Sequence, residues 1–205
     1  MSTKKQIAEQ ALRIISGGTP TVDSEVDIRE IMLLLDQVRD QRVRIDALQG
    51  RKIGDYNISS DYLSYYEDVD INTDTAKKAR YITLPAAVID LPDEMGVYSI
   101  SPMQNQEINF IRVPSMAMPL YRGKQSFNTE ATTYYWLIGN RVYFKNTDPT
   151  LEKVLVAMVA SSKDIAESAD FPVPPDVEAE LIELVIQIFS VMHQAPHDEK
   201  EDGVK

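Results

Sequence analysis

The sequence predicts an α+β fold: two N-terminal helices, the second of them long, an antiparallel β-sheet of about four or five strands, then a C-terminal helix and a charged tail. Three observations carry this expectation. No glycine or proline interrupts Ser24 to Gln49, a run that makes a helix of ~35 Å or more at 1.5 Å per residue. Two aromatic, β-branched runs flank the pair Gly139-Asn140, which suits a hairpin turn needing positive φ. Leu181, Leu184, Val185, Ile188 and Phe189 recur at helical spacing and form one apolar stripe.

Taken in order, residues Lys4 to Ser16 place Ile7, Ala8, Ala11, Leu12 and Ile15 on one helical face, and Gly17-Gly18 with Pro20 end the helix. Asp23 or Ser24 caps the second helix, whose apolar set runs from Val26 to Ile45 with partial helical periodicity. Residues Asp55 to Lys78 are polar and rich in Tyr and Asp, which predicts an ordered loop or a short helical insertion. From Ala79 the pattern becomes that of strands. Arg80 to Leu84 is stopped by Pro85, Gly96 to Ser101 alternates apolar and polar residues, and Ile108 to Val113 is bounded by Pro114. Residues Ser115 to Thr129 read as a long loop, Thr133–Ile138 and Arg141–Phe144 as the hairpin, and Lys153–Ala160 as the last strand. Phe171-Pro172-Val173-Pro174-Pro175 leads into the final helix, Val177 to His193. Proline in a helix's first turn removes no hydrogen bond, so these residues stiffen the approach without harming the helix. The expected organisation is a helical part (1–54), a polar insertion (55–78), a β-rich part (79–170), a C-terminal helix (171–194) and a mobile acidic tail (195–205), together forming one domain.

Composition excludes several classes. The chain has 205 residues, no cysteine, and a formal net charge of −11. Disulfides and thiolate metal sites are therefore ruled out. An acidic chain without a basic run is ill suited to gripping phosphates, whereas an acidic wall around a DNA passage keeps the polymer from sticking. No stretch approaches the ~18 apolar residues of a membrane span.

Catalytic and metal-binding patterns fail on inspection. His193 and His197 are four residues apart, but Pro196 breaks the helix between them. Gly17-Gly18-Thr19 lacks the lysine of a phosphate-binding loop. Asp68, Asp70 and Asp74 lack the glycine and closing glutamate of a calcium loop. There is no nucleophile elbow. Catalytic residues, cofactor and metal are accordingly all expected to be absent. The aromatic cluster Tyr134, Tyr135, Trp136, Tyr143 and Phe144 has two readings, a base-stacking platform or a half-core, half-interface hairpin. Without a basic groove the second is favoured. Met116 and Met118 in the long loop have two readings as well, loop fillers or an adaptable contact surface. Asp198 and Asp202 in the tail complete the candidate interface.

The order of segments resembles the ring or connector (adaptor) proteins of short-tailed phages, especially crAss-like phages, and more distantly the tail tubular protein A type. The residues that carry it are Ala11-Leu12-Arg13-Ile14-Ile15-Ser16-Gly17-Gly18, then Asp23 and a long helix; Tyr81-Ile82-Thr83-Leu84-Pro85 with Leu91-Pro92-Asp93 and Gly96-Val97-Tyr98; Tyr143-Phe144 after the Gly-Asn turn; Phe171-Pro172-Val173-Pro174; and Pro196 with Asp198 and Asp202. The resemblance implies a noncatalytic virion subunit at the head-tail junction, assembled in the host cytoplasm. Its implied partners are other copies of itself in a closed ring, the portal protein, and neighbouring ring or tail proteins. Double-stranded DNA would pass through without specific binding, and no membrane is involved. The tail from Ala195 is then expected to order on docking to the portal. A tail completion or capsid-associated protein, a small phage-encoded enzyme and a host-derived interaction module remain as alternatives.

Overall fold

A computed structural model describes residues 2–18, 27–52, 58–105, 107–117 and 132–194. The chain divides into two units, Met1–Gln41 with Ala166–Lys205, and Arg42–Ile165. The fold class is α+β, as the sequence predicts.

The first unit is helical. Helix α1 spans Lys4–Ile15. It opens with a capping box, in which the Gln6 amide donates to Thr3 Oγ1 at 3.2 Å and the Thr3 amide donates to Gln6 Oε1 at 2.9 Å. It closes at Gly17, whose φ of 65° is a conformation glycine adopts without steric cost. Gly18 N–H then donates to Arg13 O, and Gly17 N–H to Ile14 O, which is the Schellman pattern. Helix α2 spans Ile28–Lys52 and passes from the first unit into the second. Helix α3 spans Pro175–Gln194, with proline at its first position. Ile7, Ala8 and Ala11 of α1, Ile31, Leu35 and Val38 of α2, and Val177, Leu181 and Val185 of α3 are all buried.

Two buried cations tie this unit together. Lys4 Nζ lies 2.7 Å from Asp36 Oδ1 and 2.8 Å from Oδ2. Only the Oδ2 contact has hydrogen-bond geometry, so Oδ1 is held by charge alone. The Arg39 side chain is wholly inaccessible to solvent. Its Nε and Nη2 donate to Pro172 O at 3.3 and 3.2 Å, and its Nη1 meets Asp40 Oδ1 at 3.3 Å.

The second unit is β-rich. Strands β1 (Ser64–Asp70), β8 (Lys153–Met158) and β4 (Val97–Pro102) form a three-stranded sheet in the order β1-β8-β4. Strands β2 (Asn72–Asp74), β3 (Ala79–Thr83), β7 (Arg141–Lys145), β6 (Tyr134–Ile138) and β5 (Ile111–Arg112) form a five-stranded sheet in the order β2-β3-β7-β6-β5. Ile82, Val142, Phe144 and Tyr135 of the larger sheet share one core with Ile100, Val154, Val156 and Met158 of the smaller. A second cluster joins Val43 and Ala47 of α2 to Tyr62, Leu63, Ile89, Leu91 and Val159. Gly96 is fixed by close approach: an added Cβ would sit 2.5 Å from the Ile89 carbonyl oxygen.

The sheets differ from expectation in detail. The strands divide into two sheets, and β5 runs parallel to β6, pairing through Ile111 and Arg112 alone. Residues 60–74, within the segment expected as a loop or helical insertion, carry a 3-10 turn at Ser60–Tyr62 and strands β1 and β2. Strand β1 is an edge strand with little burial, so its Glu and Asp residues face solvent and conceal the strand pattern. The bulge between Tyr66 and Val69, with Asp68 at φ 58°, breaks the alternation further. The start of the second helix before residue 27, and residues 118–131, lie outside the described residues.

Burial raises the Asp36 carboxyl above its ordinary 3.8, and the hydrogen bond and charge of Lys4 pull it back down. A raised carboxyl contributes most below its ordinary value and loses that contribution as pH climbs through the raised one. Lys4→Met removes the opposing pull and leaves a buried carboxylate unpaired. Its cost should be small at about pH 4 and reach ~3 kcal/mol at pH 7. Lys4→Met with Asp36→Leu should recover most of the loss, as read by denaturant melts at both pH values.

Candidate functional site

Alternation along the five-stranded sheet sorts its side chains into two faces. Ile82, Tyr135, Val142 and Phe144 point into the core. Tyr81, Trp136, Arg141, Tyr143 and Lys145 therefore share the opposite face. The strand register sets Tyr81, Tyr143 and Trp136 side by side on β3, β7 and β6. Tyr81 and Tyr143 have ring centroids 5.7 Å apart. Trp136 stacks on Tyr143 at 6.1 Å with an interplanar angle of 18°. This is a three-ring ladder of cross-strand pairs.

Cations cover the ladder. Lys77 Nζ sits 4.2 Å from the Tyr143 ring centroid and donates to the Tyr143 hydroxyl at 2.9 Å. The Arg141 guanidinium lies 4.8 Å over the Tyr81 ring. Lys77 is presented by the β2–β3 turn, where Asp74 Oδ1 accepts the amides of Ala76 and Lys77 at 3.1 and 3.0 Å. Lys78 follows at φ 49°. Lys145 stands opposite Tyr134 in the β6–β7 register. A hollow beside the ladder is lined by Lys77, Lys78, Arg80, Trp136, Tyr143 and Lys145. Arg80 is committed to structure, donating to the carbonyls of Asp148 and Leu151. Lys77, Lys78, Arg141 and Lys145 thus share a face on which Asp74 is a carboxylate already engaged with the turn.

The Lys77 hydrogen bond, ahead of that from Arg141, holds the Tyr143 hydroxyl below the usual phenol range. Burial pushes Tyr135, on the core face, up to about 12.

The residues expected at an interface fall in different places. Trp136 is half-buried in the ladder, whereas Tyr134 and Tyr135 are buried, Tyr134 beside Val113 and Tyr135 in the core between the sheets. Met116 lies in the 3-10 turn Ser115–Ala117. Met118, Asp198 and Asp202 are outside the described residues, as is His197. Asp68 pairs with Lys153 at 3.1 Å, so it and Asp74 serve separate local contacts. Among the described residues, no group of three or more His, Asp or Glu side chains is placed to hold a metal ion. None of the described helices is long and apolar enough to cross a membrane.

Sequence reasoning missed the basic character of this surface. Its cations come from a turn and from strand β7, more than 60 residues later, so no basic run marks them in the chain. One local signal was present: alternation in Arg141-Val142-Tyr143-Phe144-Lys145 puts two cations and a tyrosine on one face.

A family model described as phage tail ring protein 2 matches residues 6–203, nearly the whole chain. The match fixes the class of a polypeptide whose described residues hold packed sheets and an aromatic face covered by cations: it is a structural virion protein of the phage tail ring kind. The chain belongs to the phage tail ring protein 2 family, CrAss_Ring_2, and is thus a crAss-like phage ring protein. No curated protein matches it.

Lys77→Met should raise the pH at which Tyr143 ionises, because the largest influence holding that hydroxyl down is removed. Titration of carbon-labelled tyrosine by NMR reads this directly. An unchanged Tyr143 titration would mean that Lys77 does not rest on the ring in solution.

Proposed function

We propose that the chain is one subunit of a closed head-to-tail connector ring that docks below the portal and forms part of the DNA passage. The observation that carries this is the family match over residues 6–203. The role is mechanical and noncatalytic. A cyclic ring is built from one heterologous contact repeated until it closes, so each subunit needs two different, complementary surfaces. The net charge of −11 suits a passage that duplex DNA must traverse without adhering.

The helical unit carries one such surface. Ile188, Val191 and Met192, spaced to share a face of α3, are 37%, 70% and 53% exposed. Apolar side chains grouped in this way mark a contact between copies. The β6–β7 hairpin faces the adjoining ring along the axis, presenting Trp136 with Tyr134 packed beside it and supported from within by Tyr135. The long loop from Ser115, with Met116 and Met118, is proposed to add to that contact. Asp198 and Asp202 belong to a contact completed only on assembly.

Quantitative mass spectrometry of purified particles should find the chain at low copy number in fixed ratio to the portal protein. Absence from clean particles, or a ratio that varies between preparations, would refute the connector role. Val191→Glu should leave stability within about 0.5 kcal/mol, as for an exposed site, yet lower the chain's occupancy in particles at least tenfold. Wild-type occupancy of this variant would remove α3 from the contact.

A further inference from the structure

No basic run marks the sequence, yet folding gathers Lys77, Lys78, Arg141 and Lys145 on the outward face of the five-stranded sheet. Two of these cations are held in place. Lys77 rests on Tyr143 and hydrogen-bonds its hydroxyl, and Arg141 rests on Tyr81. Fixing a long cationic side chain in advance removes much of the entropy cost of engaging an anion. Asp74, the carboxylate beside them in the β2–β3 turn, is spent on the amides of Ala76 and Lys77. Along β7, Arg141, Tyr143 and Lys145 point to one side at intervals of ~7 Å, twice the rise of a strand residue. Lys77 lies over the middle one. The face is therefore a row of cations, not a single point of charge.

A row suits a linear polyanion. Duplex DNA carries one charge per ~1.7 Å of its axis, so a phosphate comes within reach of each cation whatever the register. An acidic peptide would need carboxylates set at matching intervals. The rings beneath the cations are closed to nucleobases. Tyr143 is 2% exposed under Lys77, Trp136 is stacked against Tyr143, and Tyr81 lies under Arg141. A platform for single strands requires open ring faces. The surface thus fits the sugar-phosphate backbone of a duplex and not the bases of a single strand.

We propose that the face formed by Lys77, Lys78, Arg141 and Lys145 touches the phosphates of duplex DNA in the passage of the ring. Contacts of this kind carry no sequence information and let a duplex slide. The net charge of −11 on the chain repels the same polymer elsewhere, which confines contact to this face and keeps it weak. The proposal rests on the ring reading above, and the two fail separately. A chain found in particles but inert toward duplex would sink this inference and leave the ring standing.

The test is fluorescence anisotropy of a labelled duplex of about 20 base pairs titrated with the full-length chain. Binding is expected with a Kd on the order of 10⁻⁴ M or tighter at ~50 mM salt, equal within about twofold for two unrelated sequences. Engagement of four phosphates gives a slope of about −3.6 in log affinity against log salt, so ~200 mM salt should weaken binding roughly a hundredfold. Lys77→Glu with Lys145→Glu should lower affinity at least tenfold, with a thermal melt to check the fold. Lys78→Gln, a change at an exposed turn residue, should reduce the slope by about one. Lys77→Arg with Lys145→Arg should keep both affinity and slope. Absence of duplex binding at ~50 mM salt, or a slope untouched by Lys78→Gln, would overturn the proposal. So would tighter binding of a single strand of the same length, which would mean open rings. Tighter binding of hexaglutamate than of duplex would overturn it too, and would assign the face to an acidic protein.

Discussion

Arg39 donates two N–H groups to the carbonyl of Pro172 from a site closed to solvent, and the helical unit is organised around that bond. The segment Pro172-Val173-Pro174-Pro175 contains three residues without an amide proton. Chain of this kind has little means of tying itself down, yet its carbonyls still need donors when buried. The guanidinium supplies them from α2. It is offset by Asp40 at 3.3 Å and lies 5.9 Å from the centroid of the Phe171 ring. From the other side, the Phe171 amide donates to Ser2 O, and Thr3 bridges to Asp170. The approach to α3 is thus fastened to both preceding helices before α3 begins.

In the β-rich unit the constraint is different. Its core consumes the inward faces of both sheets, leaving the outward face of the larger sheet to be finished by other means. Cations laid over aromatic rings are one such finish. They cover apolar surface with their aliphatic stems while keeping charge at the boundary. Lys77 over Tyr143 and Arg141 over Tyr81 thus put charge where an exposed apolar sheet would invite association.

What the sequence made legible follows from how local the determining physics is. The Gly17-Gly18 terminator, the Gly139-Asn140 turn and the Leu181-to-Phe189 stripe depend on residues a few positions apart; the first two stand where their patterns put them, and of the stripe Leu181, Val185 and Phe189 are buried while Ile188 is exposed. Strand β1 was hidden because its stability comes from pairing with β8, some 90 residues later, while its own Glu67, Asp68 and Asp70 argue against a strand. The parallel pairing of β5 with β6 has no local signature either. The candidate site divides in the same way. Trp136 was legible as a hairpin aromatic, but the burial of Tyr134 and Tyr135 and the convergence of Lys77 with Arg141 depend on register between distant strands.

The helical unit is assembled from the two ends of the chain, with the whole β-rich unit inserted between Gln41 and Ala166. During synthesis the residues of α1 and the first half of α2 therefore emerge long before those they pack with. The β-rich unit, being continuous, has all its strands available once residue 165 is out. At ~5–20 residues per second, the apolar face of α1 waits on the order of ten seconds for α3 to be made. For that interval Ile7, Ala11, Ile31 and Leu35 are without their final cover. The order of translation thus leaves the nascent chain's most vulnerable surface in the unit that begins first and closes last.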